Sequence, residues 1–173
     1  LPTAPAIFRE MAEVAARSGI GPMSAVAGAV AREIGEEIKE KFGTREIIVE
    51  NGGDIYADIR ENIDIAVFAG QSPLSEKVGF TIDAGHAPLG ICTSSGTVGP
   101  SLSFGRADAV MIICRDCALA DTYATAFANE IQTAEDIAPC IEKIGNVEEI
   151  LGAICIKDDK IGIHGIFDLK IWK

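Results

Sequence analysis

Between residues 47 and 70 the chain runs through IIVE, DIYADI and IDIAVFAG, short stretches that alternate or run apolar with β-branched residues. They are parted only by a Gly-Gly pair and a charged turn, so they read as antiparallel strands. VGFTID and LGICTS continue the pattern to Thr93, and ADAVMIIC at 107–114 reads as a buried strand by composition. ILGAICIKDDKIGIHGIFDLKIW supplies two or three more strands, the first two joined through Asp158-Asp159. Helices are expected on either side of this strand-rich middle. Residues 5–18 place Ile7, Phe8, Met11, Val14 and Ala15 at helical spacing and stop at Gly19, a plausible C-terminal glycine. From Ser24, AVAGAVAREIGEEIKEKF is small and apolar first and charged later, which predicts a helix buried in its first half and exposed in its second. LADTYATAFANEI at 119–131 is a further helix; AEDIAPCIEKIG is a shorter one in which Pro139 predicts a kink or an early start.

The expected fold class is therefore α+β, a largely antiparallel sheet with flanking helices. At 173 residues and 48% apolar content the chain can bury one sizeable core, so residues 1–173 read as a single domain. Because it opens on Leu1 rather than Met, the chain is expected to be either a processed or trimmed product or to lack an upstream N-terminal segment. The formal charge of -11 argues against nucleic acid as a partner, since a phosphate backbone calls for clustered Lys and Arg. Much of that acidity, Glu33, Glu36, Glu37 and Glu40, recurs along one helix as a solvated face. No apolar run reaches the roughly 20 residues of a membrane span. The odd set Cys92, Cys114, Cys117, Cys140 and Cys155 does not look like a disulfide framework and suits a reducing cytoplasm.

Four constellations could carry chemistry. In ENGGDIY, Glu50–Tyr56, adjacent glycines let backbone approach a flat ligand closely; they equally suit a hairpin turn or bulge with Asp54 as a local acceptor. Cys92 to Ser101 ends a strand in hydroxyls and glycines whose amides could cradle a phosphate or a ring edge, or could simply make a Ser/Thr-rich turn. It lacks the lysine of a Walker A loop, which excludes ATP binding of that kind. Asp121 and Thr125 stand at i, i+4 on a helix and could share a Mg²⁺ or Ca²⁺ ion; alternatively Asp121 stabilises a helix N-terminus. Cys114-Arg115-Asp116-Cys117 has the spacing of a redox or metal half-site, and also that of two buried cysteines flanking a strand-to-helix turn.

Taken in order, the VAGAVA, ENGGDIY, TSSGTVG-SLSFG-AD and AD-ATA segments resemble the ApbE superfamily, and more closely an archaeal and bacterial branch of it, over about residues 5 to 170. ApbE proteins are FAD:protein FMN transferases that use Mg²⁺ to cleave the FAD pyrophosphate and join FMN to a Thr or Ser of a partner. The resemblance implies Asp121 and Thr125 as metal-binding carboxylate and hydroxyl, with the Ala29 carbonyl as third ligand. It further implies Gly52 and Gly53, with Asp54 beside them, near the nucleotide; Thr93, Ser94, Ser95 and Gly96 as the ligand loop; and Arg32 facing FAD. The chain departs from the transferase pattern where GPSLSFGRAD lacks a His-x-x-Asp-Pro stretch and where Val26 replaces an acidic residue. No catalytic residue is assigned. The resemblance thus implies a divalent-metal-dependent protein for FAD or FMN, acting as FMN transferase or FAD pyrophosphatase, with a flavin nucleotide and an acceptor protein as partners and a homo-oligomer left open. The alternative is a non-catalytic ApbE-like binding or assembly protein, tied to anaerobic sulfur metabolism, with Cys92 or Cys117 as its functional group.

Overall fold

The computed structural model describes residues 3–99 and 103–173. Helix α1 spans Ala6–Ser18 and ends on Gly19, whose φ of 76° lets its amide reach back to the Ala15 carbonyl. A short 3₁₀ turn, Pro22–Ala25, leads into α2, Val26–Phe42, which stops in the same manner at Gly43. The strands are β1 (Ile47–Asn51), β2 (Asp54–Asp58), β3 (Ile63–Ala66), β4 (Val78–Ile82), β5 (Leu89–Ser94) and β6 (Ala109–Cys114). Then come α3 (Cys117–Glu130) and α4 (Ile137–Ile144), followed by β7 (Gly152–Lys157), β8 (Lys160–Gly165) and β9 (Asp168–Ile171). Pro139 falls in the first turn of α4, where the missing N–H costs nothing, so this helix starts early rather than kinking.

All strand pairs are antiparallel, as the sequence pattern predicts, but they form two sheets. The larger runs β1-β2-β5-β6-β7-β8; the smaller runs β3-β4-β9. The chain thus leaves the large sheet after β2 and returns at β5. Helices cover one face of the large sheet and the small sheet covers the other, giving three layers and two apolar cores. Strand β6 explains why: its alternate residues Val110, Ile112 and Cys114 enter the helix-side core, while Ala109, Met111 and Ile113 enter the other. A strand buried on both faces reads as an unbroken apolar run. Fully buried Phe80, Ile82, Met111 and Ile154 hold the two sheets together, each worth roughly 1.5–3 kcal/mol of transfer free energy.

Helix α3 is buried along almost its whole first half, wedged between the sheet and helices α1 and α2. Such close packing needs small residues at the crossings. A Cβ on Gly28 of α2 would meet the Cys117 carbonyl oxygen at 2.5 Å and the Asp121 Cβ at 2.9 Å, and one on Gly90 of β5 would meet the Cys117 Cβ at 2.9 Å. These two glycines therefore set how near α3 lies to α2 and to β5. Asp116 caps α3, accepting from the Leu119 amide at 3.0 Å.

Candidate functional site

The β1–β2 connection is a two-residue hairpin turn: Asn51 pairs with Asp54, and Gly52 and Gly53 adopt φ of 66° and 103°. Two positive φ values in succession demand glycine-like residues, which accounts for the Gly-Gly pair. The turn is held by Glu50, whose carboxylate accepts from the Gly53 amide at 2.7 Å, and by the Thr93 amide, which donates to the Gly53 carbonyl at 3.1 Å. It consequently sits beside the end of β5 and the loop that follows. There the Ser95 hydroxyl accepts from the amides of Thr97 and Val98 at 3.0 and 2.9 Å, while Thr97 donates to Asp108 at 2.9 Å.

Around this corner opens a cleft of about 950 Å³. Its walls come from the segment entering α2 (Met23, Ser24, Val26, Ala27), the β1–β2 turn, the end of β5 and the exposed face of α3. Of the residues singled out from sequence, Gly52, Gly53, Asp54, Thr93, Ser94, Ser95, Asp121 and Thr125 all line it. Segments far apart along the chain are thereby brought to one place.

Three of the sequence-based candidates stand elsewhere. Ala29 is fully buried in the helix-side core; Ala27, two residues earlier, is the alanine that reaches the cleft, and its carbonyl accepts from Asn51 at 3.1 Å. Arg32 is drawn away by carboxylates, pairing with Glu10 at 2.5 Å, Glu33 at 2.9 Å and Glu36 at 3.7 Å. Gly96 serves the crossover instead: its amide donates to the Ala107 carbonyl at 2.8 Å, and a Cβ there would collide with the Gly105 main chain. The stretch from Gly99 to Asp108 that departs from the transferase pattern includes residues 100–102, which lie outside the described residues.

Two buried carboxylates form the floor. Asp121 accepts from the Gly28 amide at 2.9 Å, so it caps α2, whose own N-cap residue Ala25 makes no side-chain hydrogen bond. The helix-terminus role that competes with metal binding in the sequence is thus filled, but at another helix than Asp121's own. Burial is the main force pushing the Asp121 carboxyl up to about 6, against the pull of the Gly28 and Ala27 amides. Asp54 is pushed further, to about 8, by burial first and then by the nearby Asp121 charge; the Cys92 thiol and the Thr93 main chain temper the rise. No Lys, Arg or His is among the described residues lining the cleft.

Sequence reasoning missed the rim. Phe68 is 55% exposed and Phe104 76% exposed, and both line the cleft. Exposure beside a pocket exists only in the folded molecule, so nothing in the sequence marked these two rings. It also missed the partner of Cys117. The Cys92 and Cys117 sulfurs lie 3.8 Å apart and both are fully buried, whereas Cys114 ends β6 on its own. All five cysteines are free.

The fold is similar to that of ApbE flavin transferases. The structure superposes on the apo flavinyl transferase ApbE of Pseudomonas stutzeri with a TM-score of 0.53 at 17% identity, covering 84% of this chain and 47% of that one. For the flavin transferase ApbE from Vibrio cholerae the score is 0.51 at 17% identity, with 84% and 50% covered. At such identity the likeness speaks for the fold. The family model described as AbpE bacteria matches residues 1–144. The UPF0280 protein of Methanococcus aeolicus is 39% identical over 168 residues, 95% of this chain and 67% of that protein. The one from Methanocella arvoryzae is 38% identical over 162 residues, with 94% and 65% covered. The chain belongs to this ApbE-like family. It spans about two thirds of the length of these curated relatives and about half that of the solved transferases. No helix among the described residues is long and apolar enough to cross a membrane.

Proposed function

We propose that this protein binds a flavin nucleotide, FAD or FMN, together with a divalent cation such as Mg²⁺, and acts as an FMN transferase or an FAD pyrophosphatase. One observation carries the reading: the cleft is floored by buried carboxylates, has no side-chain cation among its described lining residues, and has exposed phenyl rings at its rim. A pyrophosphate cannot settle against Asp54 and Asp121 unless positive charge comes with it. Among the described residues no group of three or more His, Cys, Asp or Glu could hold a metal by itself. That donor set fits a hard cation of the Mg²⁺ kind, which keeps waters and binds through one or two carboxylates plus substrate phosphates.

Each part of the cleft then has a role. Asp121 and Thr125, one helical turn apart on α3, offer oxygens to the cation, which would offset charge developing on the cleaved pyrophosphate. Thr93, Ser94 and Ser95 offer neutral hydrogen bonds to phosphate or to a ring edge, and Gly52 and Gly53 admit a flat ligand close to the backbone. Phe68 and Phe104 supply apolar faces for aromatic rings. Cleavage with transfer would join FMN to a Ser or Thr hydroxyl of an acceptor protein and release AMP; cleavage by water would release FMN and AMP. The solved transferases and the family membership support this reading at the level of fold.

A cysteine-centred binding or assembly role has less support. Cys92 and Cys117 are fully buried, and burial pushes the Cys92 thiol well up, which keeps it protonated and a poor nucleophile. The deciding experiment incubates the full-length protein with FAD and Mg²⁺ and follows AMP release and flavin-labelled protein. Nucleotide retention that depends on metal and disappears in Asp121→Ala is the expected result. Absence of any metal-dependent nucleotide binding would overturn the proposal.

A further inference from the structure

The sequence resemblance assigns the cation a main-chain oxygen from α2 as its third ligand, and Ala27 is the alanine of that helix that reaches the cleft. Ala29 lies in the helix-side core, and the carbonyl of Ala27 accepts from the Asn51 side-chain Nδ2 at 3.1 Å, which leaves it a second lone pair. A different oxygen faces the same space. Asp54, the first residue of β2, is directly paired with Cys92 of β5. The Cys92 sulfur lies 3.5 Å from the carbonyl oxygen of Cys117, and Cys117 precedes Asp121 by one helical turn. The β2–β5 ladder and the first turns of α3 therefore bring Asp54 to the floor of the cleft alongside Asp121, and both carboxylates line it.

We infer that Asp54 is itself a ligand of the divalent cation, adding a second carboxylate to the hard oxygens of Asp121 and Thr125. Positioning of Asp54 falls to the β2–β5 ladder, in which it pairs with Cys92, whose thiol donates to the Cys117 carbonyl of α3 at 3.5 Å. That contact ties β5, and with it Asp54 on the neighbouring strand, to the helix that carries Asp121 and Thr125. Two carboxylates and one hydroxyl leave room for phosphate oxygens and water in the remaining positions of an octahedral ion. This inference rests on the metal half of the proposed function and not on the flavin half.

The test uses Mn²⁺ as the probe, added to the full-length protein without nucleotide, with the free ion measured by electron paramagnetic resonance. Asp54→Asn is expected to weaken Mn²⁺ binding at least ten-fold, as Asp121→Asn does, while its unfolding midpoint in chelator stays at or above that of the parent. Mn²⁺ affinity in Asp54→Asn within two-fold of the parent overturns the assignment. Should that variant fail to fold, Asp54→Glu carries the decision: it keeps the charge but moves the oxygens by a methylene, so unchanged affinity overturns the ligand and weakened affinity upholds it. Titrating FAD onto the Mn²⁺-saturated parent separates the two claims. Mn²⁺ binding lost in Asp54→Asn with no FAD uptake by the parent upholds the ligand and defeats the flavin reading. FAD uptake that keeps its metal requirement and its affinity in Asp54→Asn defeats the ligand alone.

Discussion

Strand β2 begins and ends on a buried aspartate, and the two are treated oppositely. Asp58, at the far end, is 7% exposed and meets the Lys39 ammonium and, at 3.5 Å, the Arg60 guanidinium. Asp54, at the cleft end, is 8% exposed, and no Lys, Arg or His is among the described residues lining the cleft beside it. Asp108, a third buried aspartate, again has a lysine, Lys157, at 3.7 Å. A buried carboxylate without a counter-charge is costly, and its presence calls for either a bound proton or a bound cation. The contrast appears without reference to any relative: the chain balances the charge at the far end of β2 and sets no Lys, Arg or His among the described residues lining the cleft at the other.

The two ends of β2 should respond differently to substitution, and a like response would erase the contrast. Asp121→Ala, at the cleft end, should weaken metal-dependent FAD binding by roughly 100-fold, since removing one member of a close charge pair typically costs about 2–5 kcal/mol; equilibrium dialysis with and without Mg²⁺ measures it. Asp58→Asn should leave that binding unchanged but strand Lys39, costing about 3 kcal/mol of stability, a fall of roughly 6–12 °C in unfolding midpoint. Calorimetry in chelator should show Asp54→Asn moving the other way or not at all.

Acidity offers a gentler probe. The folded carboxyls of Asp54 and Asp121 are raised, so their contribution to stability is complete below the ordinary carboxylate range near 3.8 and is lost as pH climbs through about 6 and about 8. In chelator the unfolding midpoint should therefore fall between pH 4 and pH 8 by more in the parent than in Asp54→Asn, and Mg²⁺ should restore it at the upper end. A parent curve parallel to that of Asp54→Asn would mean that the cleft end carries no uncompensated charge. The smallest effect belongs to the rim. Phe104→Ser should weaken nucleotide binding by roughly three- to ten-fold, in line with about 0.5–1.5 kcal/mol for an aromatic contact, and should leave the unfolding midpoint in place because the ring is already in water. Fluorescence titration with FAD separates that loss from the larger ones.

Much of the fold can be read along the chain because it is written in local periodicity. The glycines at 19 and 43 end their helices, Asp158-Asp159 turns β7 into β8, and the apolar run at 109–114 is the strand covered on both faces. Eight of the residues picked out as site candidates meet in one cleft, since Gly-Gly turns and runs of hydroxyls at strand ends mark where backbone must approach something closely. The remaining three were misplaced by contacts that local pattern does not reveal. Arg32 is claimed by Glu10 of another helix, and Gly96 by the main chain of Gly105. Ala29 is turned inward by the helical phase that presents Val26 and Ala27 to the cleft.

What the sequence determined by itself was the set of elements, their caps and turns and the faces they must bury, because a period of 2 or 3.6 and a required positive φ depend only on neighbours. Only the tertiary structure decided that β3, β4 and β9 form their own sheet, that Asp121 caps α2 rather than the helix it belongs to, and that Cys117 meets Cys92 instead of Cys114. An apolar face says that something must cover it, without saying what; that choice depends on which strands pair and how closely Gly28 and Gly90 let α3 approach. The electrostatics of the cleft arise from the same packing, since an aspartate carboxyl is raised only once its surroundings have excluded water and withheld a lysine.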